Sequence, residues 1–266
     1  MTHDHYKLLA LDVDGTILNS AHQLTEKVRS TLYQLTQQGI HVILASARSP
    51  QSMTGFIEQI GLNGMYVALN GALVVGPNRE SLHHFPMAYD DIQTILWMCE
   101  HYQLTANLFA GFDWYVEQST DMVEQQVAIV GFSPIVGRLA EQQLPEIEKM
   151  MVMGDPPTLS LFYDQLSHSQ TAVNATLSKP THCEVTAANV TKASGLNYIC
   201  QQLELPRSAV VAIGDNFNDL DMLDFAGLGV AMGNSPAHVK AKANLVIGSN
   251  DEDGVAEFVQ ELFLLP

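Results

Sequence analysis

Apolar runs alternate with amphipathic stretches at both ends of this chain. Residues 7–13 (KLLALDV) contain a short continuous apolar run, which predicts a strand buried on both faces, as in a parallel sheet. Behind Thr25, apolar residues recur with helical spacing at Val28, Leu32 and Leu35. Strand alternating with helix predicts βαβ units. The strands expected at the two ends are residues 7–13, 41–47, 66–75 (a hairpin turning at Asn70-Gly71), 210–213 and 229–232, and the helices begin after Thr25, at Pro50, Lys192 and Asp219, and after Ser235.

The middle of the chain, from about residue 86 to 188, follows a different pattern. Helical and strand-like stretches are mixed there, without the regular alternation of the ends, which is typical of an α+β module inserted into a parallel core. The elements expected in it are a helix over residues 90–102, a hairpin over 105–117 and strands near 148–153 and 182–186.

The two patterns together define the expected fold class and domains. The fold class is α/β, with a doubly wound, Rossmann-like parallel sheet as the core and an inserted α+β domain. The core should comprise residues 1–85 and 189–266, and the insert residues 86–188. A length of 266 residues accommodates two domains, and a hydrophobic content of 47% supplies enough apolar side chains for a core.

The charge and the cysteines of the chain limit its partners. A formal net charge of −17 argues against binding to nucleic acid, whose phosphates are contacted by Lys and Arg. A phosphorylated small molecule stays possible, because a divalent cation and one or two cationic side chains can reverse the field inside a cleft. No apolar stretch reaches the length of a membrane span, and the 3 cysteines are widely spaced without a CxxC pair. We therefore expect a cytoplasmic protein with free thiols and no membrane partner.

Two carboxylates stand where the first strand ends. Asp12 and Asp14, in the sequence Asp-Val-Asp-Gly-Thr, flank the transition from strand to loop, and ligands of open α/β sheets bind beyond the carboxyl ends of the strands. One carboxylate can attack phosphorus while the other delivers and later removes a proton. A calcium loop is a poor alternative, since its ligand pattern breaks at Leu18 and Gln23 replaces the required Glu. A plain acidic turn is the other interpretation.

Two further polar segments lie at the same predicted edge. Ser46, after the second strand, could hold a phosphoryl oxygen, although it is equally an ordinary turn residue, and Arg48 an exposed charge. Lys192, at the start of a helix, suits a transferring phosphoryl group and the nucleophilic carboxylate. A single lysine in isolation is more often a solvated side chain, so this residue carries weight only together with the others.

A dense polar cluster, Gly-Asp-Asn-Phe-Asn-Asp, follows the strand over residues 210–213. Acidic and amide groups packed this closely are costly unless a cation neutralises them, and Mg²⁺, which takes a few oxygen ligands and keeps several waters, does so naturally. The alternative is an Asn/Asp-rich turn in which Asn218 or Asp219 caps the next helix.

Taken together, these four segments resemble the four motifs of the haloacid dehalogenase superfamily, in the expected order and rough spacing. An insertion between the second and third motifs is similar to that of the Cof-like hydrolases, which carry a large α+β cap. The resemblance implies that Asp12 attacks phosphorus, and that Asp14 protonates the leaving oxygen and then activates water. The implied ligands of Mg²⁺ are the Asp12 carboxylate, the Asp14 backbone carbonyl and Asp215. The residues implied to hold the phosphoryl oxygens are Ser46, Lys192 and Asn218.

The resemblance also implies supporting residues and a function. Asp219 should orient Lys192 or a metal-bound water, and Arg48 and Asn70 should face the substrate. The implied function is a Mg²⁺-dependent phosphatase that acts on small phosphorylated metabolites through an aspartyl phosphate. A sugar phosphate, a pyridoxal-type phosphate and a nucleotide-derived monophosphate are all compatible. The alternatives are a phosphotransferase or phosphomutase, and a non-catalytic sensor of a phosphorylated ligand; a monomer and a homodimer are both open.

Overall fold

The computed structural model describes residues 5–139 and 145–264, which form two compact units. The first unit contains the chain up to Ala47, the segment Met53–His83 and the chain from Thr191 onward. The second contains Arg48–Ser52 and His84–Val190. A parallel sheet in the first unit and an α+β arrangement in the second confirm the expected fold class.

The regular elements are numbered in chain order. The strands are β1 (Leu8–Leu11), β2 (His41–Leu44), β3 (Tyr66–Ala68), β4 (Leu73–Val75), β5 (Ser81–His84), β6 (Thr105–Ala110), β7 (Asp113–Val116), β8 (Ile135–Val136), β9 (Lys149–Met153), β10 (Val173–Lys179), β11 (His182–Ala187), β12 (Val210–Gly214), β13 (Leu228–Ala231) and β14 (Leu245–Val246). The α-helices are α1 (Glu26–Gln37), α2 (Pro50–Ile60), α3 (Tyr89–Tyr102), α4 (Asp121–Val130), α5 (Pro156–Ser167), α6 (Lys192–Gln202), α7 (Leu220–Phe225), α8 (Ala237–Lys242) and α9 (Gly254–Val259).

The main sheet of the first unit has five parallel strands in the order β14-β13-β12-β1-β2. The strand β1, which lies between β12 and β2, is buried along its whole length, because its residues are apolar and both faces of the sheet are covered. One face packs against α6, α7 and α8 through an apolar cluster. The side chains of Leu9 and Leu11, which alternate along β1 with those of the cluster and so point to the opposite face, are equally buried. The helices α1 and α9 pack against each other.

The predicted hairpin at residues 66–75 is present, but its turn differs from the expected two-residue turn. β3 and β4 pair antiparallel, and a 3₁₀ turn at Leu69–Gly71 joins them. Leu69, Asn70 and Gly71 all have positive φ, at 52°, 58° and 100°. Such backbone is unfavourable for a leucine, so the surrounding structure must hold this turn in place.

The second unit is built on a six-stranded sheet in the order β10-β11-β9-β6-β7-β8. It contains the predicted helix as α3, the predicted hairpin as β6 and β7, and the two later strands as β9 and β11. β10 was not expected, since its sequence VNATLSK alternates without an apolar run. The apolar residues on one face of the sheet form a second cluster with α3 and α5.

A buried ion pair lies in the second unit, between Lys149 of β9 and Glu184 of β11. Their side chains are 4% and 11% exposed, and the Lys149 ammonium also lies 5.6 Å from the centre of the Phe109 ring.

Among the helices of the described residues, none is long and apolar enough to cross a bilayer.

Candidate active site

The sheet fixes Asp12 at the end of β1. Its backbone N–H donates to the carbonyl of Ile213 at 3.0 Å, so the pairing of β1 with β12 continues one residue beyond the strand. The Asp12 side chain is almost fully buried. Asp14 differs, since its side chain is 42% exposed and lies 3.7 Å from Nδ1 of His22. One carboxylate is therefore enclosed by protein, and the other reaches water.

The turn after Asp14 accepts only glycine at position 15. Gly15 has a φ of +83°, and a Cβ there would lie 2.5 Å from Oδ2 of Asp215. Both the conformation and the space exclude a side chain. The loops that follow β1 and β12 are therefore in direct contact.

Asp219 organises the loop after β12. Its Oδ2 accepts the backbone N–H groups of Asp215 and Asn216, each at 2.9 Å, and its Oδ1 accepts the ammonium of Lys192 at 2.6 Å. The residue is fully buried, and a Cβ on Gly214 would lie 2.5 Å from its side chain. The Asp219 carboxylate thus contacts both the loop and Lys192, and the role that the resemblance implies for it, orienting Lys192 or a metal-bound water, stays a prediction.

Lys192 joins the first and last of the predicted motifs. Its Nζ lies 2.5 Å from Oδ1 of Asp12 and 2.6 Å from Oδ1 of Asp219. Burial alone would lower the pKa of Lys192, but the two carboxylates outweigh burial and raise it above its ordinary value. The ammonium is therefore held in its charged form beside Asp12.

The start of α6 positions Lys192. Thr191 caps the helix, because its hydroxyl accepts the N–H of Ser194 at 3.3 Å. In return, the Ser194 hydroxyl accepts the N–H of Thr191 at 3.1 Å and donates to the Thr191 carbonyl at 2.7 Å. The turn at Leu69–Gly71 packs directly on this cap, and a Cβ on Gly71 would lie 1.9 Å from the carbonyl oxygen of Thr191. The left-handed turn and the cap of α6 therefore fit together only with glycine at position 71.

The same turn contacts the segments of Ser46 and Asn218. The N–H of Asn70 donates to the Ser46 carbonyl at 2.9 Å, and Nδ2 of Asn218 donates to Oδ1 of Asn70 at 3.2 Å. Ser46 is buried, two residues after the end of β2. The structure thus brings Ser46, Asn70 and Asn218 together. Arg48 is half-buried and belongs to the second unit. Its contact with the substrate stays a prediction.

Three carboxyl groups meet beside one ammonium. Oxygen atoms of Asp12, Asp215 and Asp219 all lie within 4.8 Å of one another. Both oxygens of Asp219 already accept hydrogen bonds, so Asp12 and Asp215 are the carboxylates better able to hold a cation. The three carboxyl groups outnumber the ammonium of Lys192, which pairs with Asp12 and Asp219, and this donor set fits a hard divalent cation. The backbone carbonyl of Asp14 stays a predicted third ligand.

The pKa values reflect this excess of negative charge. Burial raises the pKa of Asp12 well above its ordinary value, the carboxylates of Asp219 and Asp215 raise it further, and Lys192 opposes them. Burial also raises the pKa of Asp215 to about 7, with Asp219 and Asp14 adding to the effect. More positive charge than Lys192 supplies is needed to keep these groups ionised.

The sequence interpretation missed one residue at this site, Asn234. It follows β13, the neighbour of β12, and its Nδ2 donates to the Gly15 carbonyl at 2.8 Å. The signal was available, because Gly-Asn-Ser directly follows a predicted strand whose carboxyl end lies at the same edge of the sheet.

Comparison with known proteins gives a consistent family. Residues 9–259 match the family model of haloacid dehalogenase-like hydrolases. The chain is 30% identical to the 5-amino-6-(5-phospho-D-ribitylamino)uracil phosphatase YitU of Bacillus subtilis, with 97% of this chain and 98% of that protein covered.

Solved structures give the same picture. The chain is similar to a haloacid dehalogenase-like hydrolase from Bacteroides thetaiotaomicron, with a TM-score of 0.88, 30% identity and coverage of 97% of this chain and 100% of that one. It is also similar to a haloacid dehalogenase-like hydrolase from B. subtilis, with a TM-score of 0.85, 25% identity and coverage of 97% and 100%.

Proposed function

Because the chain belongs to the haloacid dehalogenase-like hydrolases, we propose that it hydrolyses small phosphorylated metabolites through an aspartyl phosphate formed on Asp12. The broader class is established by its relatives: the chain is a Cof-like phosphoric monoester hydrolase. The proposal concerns the substrate, the cation and the covalent intermediate.

The contact between Lys192 and Asp12 carries the proposal. A carboxylate attacks phosphorus only when ionised, and the ammonium 2.5 Å from Oδ1 favours that form and fixes the orientation of the group. The same ammonium provides positive charge for an incoming phosphate, since Lys192 is a donor of several hydrogen bonds. Burial keeps bulk water away from Asp12, so the electrostatic effect of Lys192 is strong.

Magnesium is the proposed cation, held by Asp12, Asp215 and the backbone carbonyl of Asp14. When bound, it would offset the repulsion between the Asp12 carboxylate and a dianionic phosphate. The excess of buried carboxylates over cations at this position is the observation that supports it.

Asp14 is the proposed proton carrier. In the first step an oxygen of Asp12 forms a bond to phosphorus, the bond from phosphorus to the leaving oxygen breaks, and that oxygen takes the proton of Asp14. In the second step the Asp14 carboxylate takes a proton from water, the hydroxide oxygen bonds to phosphorus, and Asp12 leaves. The exposed side chain of Asp14 suits this role, because it can exchange protons with solvent.

Three residues are proposed to hold the phosphoryl oxygens: Ser46, Lys192 and Asn218. An amide nitrogen has two hydrogens. One hydrogen of Asn218 Nδ2 is donated to Asn70, which orients the other for an oxygen of the phosphoryl group. Asn70 then acts by aiming Asn218, and Arg48 is proposed to face the substrate.

The substrate is proposed to be a sugar phosphate or a pyridoxal-phosphate-like monoester, whose alcohol part is the leaving group. Residues around Asp12 handle the phosphoryl group, which every such ester shares, so selectivity for the leaving group must come from other residues. We assign it to the insert at residues 86–188. A relative is named for a phosphoribitylamino-uracil, which makes esters of a sugar-alcohol chain worth including among the candidates.

A panel of phosphate esters tests the proposal. Phosphate release is measured with Mg²⁺ and with a chelator, using the wild type and Asp12→Asn. We expect release that requires Mg²⁺ and is lost in the variant. Acid quenching during turnover should trap phosphate on the peptide that contains Asp12, and hydroxylamine should remove it.

The same panel separates the alternatives. Phosphate that moves to a second hydroxyl, with little free phosphate, would indicate a phosphotransferase or phosphomutase. Ligand binding without any turnover would indicate a sensor. Release by Asp12→Asn at the wild-type rate would contradict the assigned nucleophile.

A further inference from the structure

We propose that Asn234 is a positioning residue that joins the two loops of the cation site, an inference that rests on the proposed function. Its Nδ2 lies 2.8 Å from the Gly15 carbonyl and 3.4 Å from Oδ2 of Asp215. Its Oδ1 accepts the backbone N–H of Asn250 at 3.0 Å. One side chain therefore contacts the loop after β1, the loop after β12 and the segment that precedes α9.

The orientation of this amide is determined by its neighbours. The N–H of Asn250 must meet an acceptor, and the carbonyl of Gly15 must meet a donor. Only one of the two amide orientations satisfies both, and it places Nδ2 toward Gly15 and Asp215. The side chain is thus fixed at both ends.

The backbone around Asn234 is anchored on two sides. Met232 donates to the Gly214 carbonyl at 3.1 Å, which continues the pairing of β13 with β12. Gly233 donates to the Gly248 carbonyl at 3.0 Å. Asn234 therefore stands on a loop that is tied to the sheet and to the 248–250 segment.

The loop after β1 needs such an anchor. Gly15 has no side chain, so its backbone can adopt more conformations than that of a residue with a Cβ, and here its φ is positive. Asn234 holds the carbonyl of Gly15, and Nδ2 of Asn250 holds the carbonyl of Leu18 at 2.8 Å. Two asparagine side chains thus hold the turn after Asp14 through hydrogen bonds to these two carbonyls.

The chemistry of an amide suits this position. It donates to Asp215 without bringing a charge, so it orients the carboxylate and leaves its negative charge for a cation. A lysine would neutralise Asp215 and compete with the cation, and an aspartate would add a repelling carboxylate and lose both donors.

Binding of Mn²⁺, followed by electron paramagnetic resonance in the absence of substrate, tests the inference on the full chain. Loss of a group that orients metal ligands costs about 10- to 100-fold in metal affinity, and we expect a weakening of this size in Asn234→Ala. At saturating Mg²⁺ the Asn234→Ala variant should regain the kcat of the wild type. Its KM for the ester should then equal that of the wild type. The control is Asn78→Ala, an exposed asparagine in the β4–β5 loop, which should bind Mn²⁺ like the wild type.

The outcomes are separable from those of the proposed function. Unchanged Mn²⁺ affinity in Asn234→Ala overturns the inference, and so does a wild type that binds no Mn²⁺. Weakened binding supports it even if no ester is hydrolysed, in which case only the proposed function fails. A melting curve recorded with chelator shows whether the variant is folded; if it is not, Asn234→Ser, which is polar but too short to reach both acceptors, takes its place with the same expectation.

Discussion

The ammonium of Lys192 lies between the carboxylates of Asp12 and Asp219, at 2.5 Å from one and 2.6 Å from the other. All three side chains are buried. One cation therefore serves both the proposed nucleophile and the residue that shapes the loop after β12. The proposed chemistry and the stability of the core depend on the same contact.

Removing this cation should destabilise the protein. Lys192→Met leaves two buried carboxylates without their ammonium, and loss of one member of a buried pair typically costs about 3–5 kcal/mol. Urea unfolding without added metal measures the change, and phosphate release should be lost as well. The control is Lys27→Met, whose exposed pair with Glu257 should contribute less than about 1 kcal/mol. Equal effects of the two substitutions would contradict the interpretation.

Asp14→Asn should slow turnover while the fold stays intact. The side chain is partly exposed, at 42%, so stability should change little. Loss of a general acid–base group typically reduces the rate by about 10²- to 10⁴-fold. Single-turnover measurements check this value, and Asp12→Asn, which removes the nucleophile, should be slower still. A rate within a few fold of the wild type would exclude Asp14 as the proton carrier.

The stability of the metal-free protein should rise as the pH falls from about 8 toward 5. Burial raises the pKa of Asp215 to about 7, whereas its ordinary value is 3.8, so between these values the folded state binds a proton that the unfolded state does not. A pKa difference of about 3 corresponds to at most about 4 kcal/mol, and partial solvation of Asp215 reduces the effect. Below the ordinary value both states are protonated, and this contribution stops changing.

Chemical denaturation at several pH values checks this dependence. Asp215→Asn should have a flatter profile, since it removes the titrating group. Mg²⁺ should also flatten the profile of the wild type, because a bound cation favours the ionised carboxylates. Parallel profiles for the wild type and Asp215→Asn would show that other groups cause the pH dependence.

Gly71→Ala should be far more disruptive than Gly39→Ala. Both glycines have positive φ, at +100° and +80°, but a Cβ on Gly71 would lie 1.9 Å from the Thr191 carbonyl oxygen, whereas nothing lies within 4 Å of one on Gly39. Gly39→Ala should lower the free energy of unfolding by about 1–2 kcal/mol, because alanine is unfavourable in a left-handed backbone conformation. Gly71→Ala should cost about 1–3 kcal/mol more, the usual effect of forced packing, and should lower kcat by displacing Lys192. Equal unfolding free energies would refute this account.

The ion pair of Lys149 and Glu184 should prove replaceable as a pair. Lys149→Met alone leaves a nearly buried carboxylate and should destabilise the protein by about 3 kcal/mol. The double variant Lys149→Met, Glu184→Leu should recover most of that loss, since apolar side chains of similar size often replace a buried pair without cost. Thermal unfolding of the two single variants and the double variant measures the coupling. Additive losses would contradict the prediction.

The sequence predicted those parts of the fold that depend on local pattern. The apolar runs of β1 and β12 and the polar residues that follow them placed Asp12 and Asp215 at one edge of a parallel sheet. β10 was missed, because its polar alternation resembles a loop and only pairing with β11 makes it a strand. The sharp left-handed turn at Leu69 was also unexpected, since leucine does not favour positive φ.

The candidate site was predictable in its residue types but not in its connections. Which oxygen of Asp219 meets Lys192 and which meets the loop depends on the directions of two backbone N–H groups. The sequence indicates that Asn234 follows a strand at this edge of the sheet, but its contacts depend on β13 lying next to β12, which periodicity does not reveal. Long-range hydrogen bonds of this kind follow from tertiary structure alone.

The two apolar clusters, one behind the parallel sheet and one behind the six-stranded sheet, have no residue in common. Each of these clusters can therefore accumulate substitutions without disturbing the packing of the other. The proposed catalytic residues Asp12 and Asp14 both belong to the first unit, so substitutions inside the apolar cluster of the second unit leave the elements that carry them unchanged.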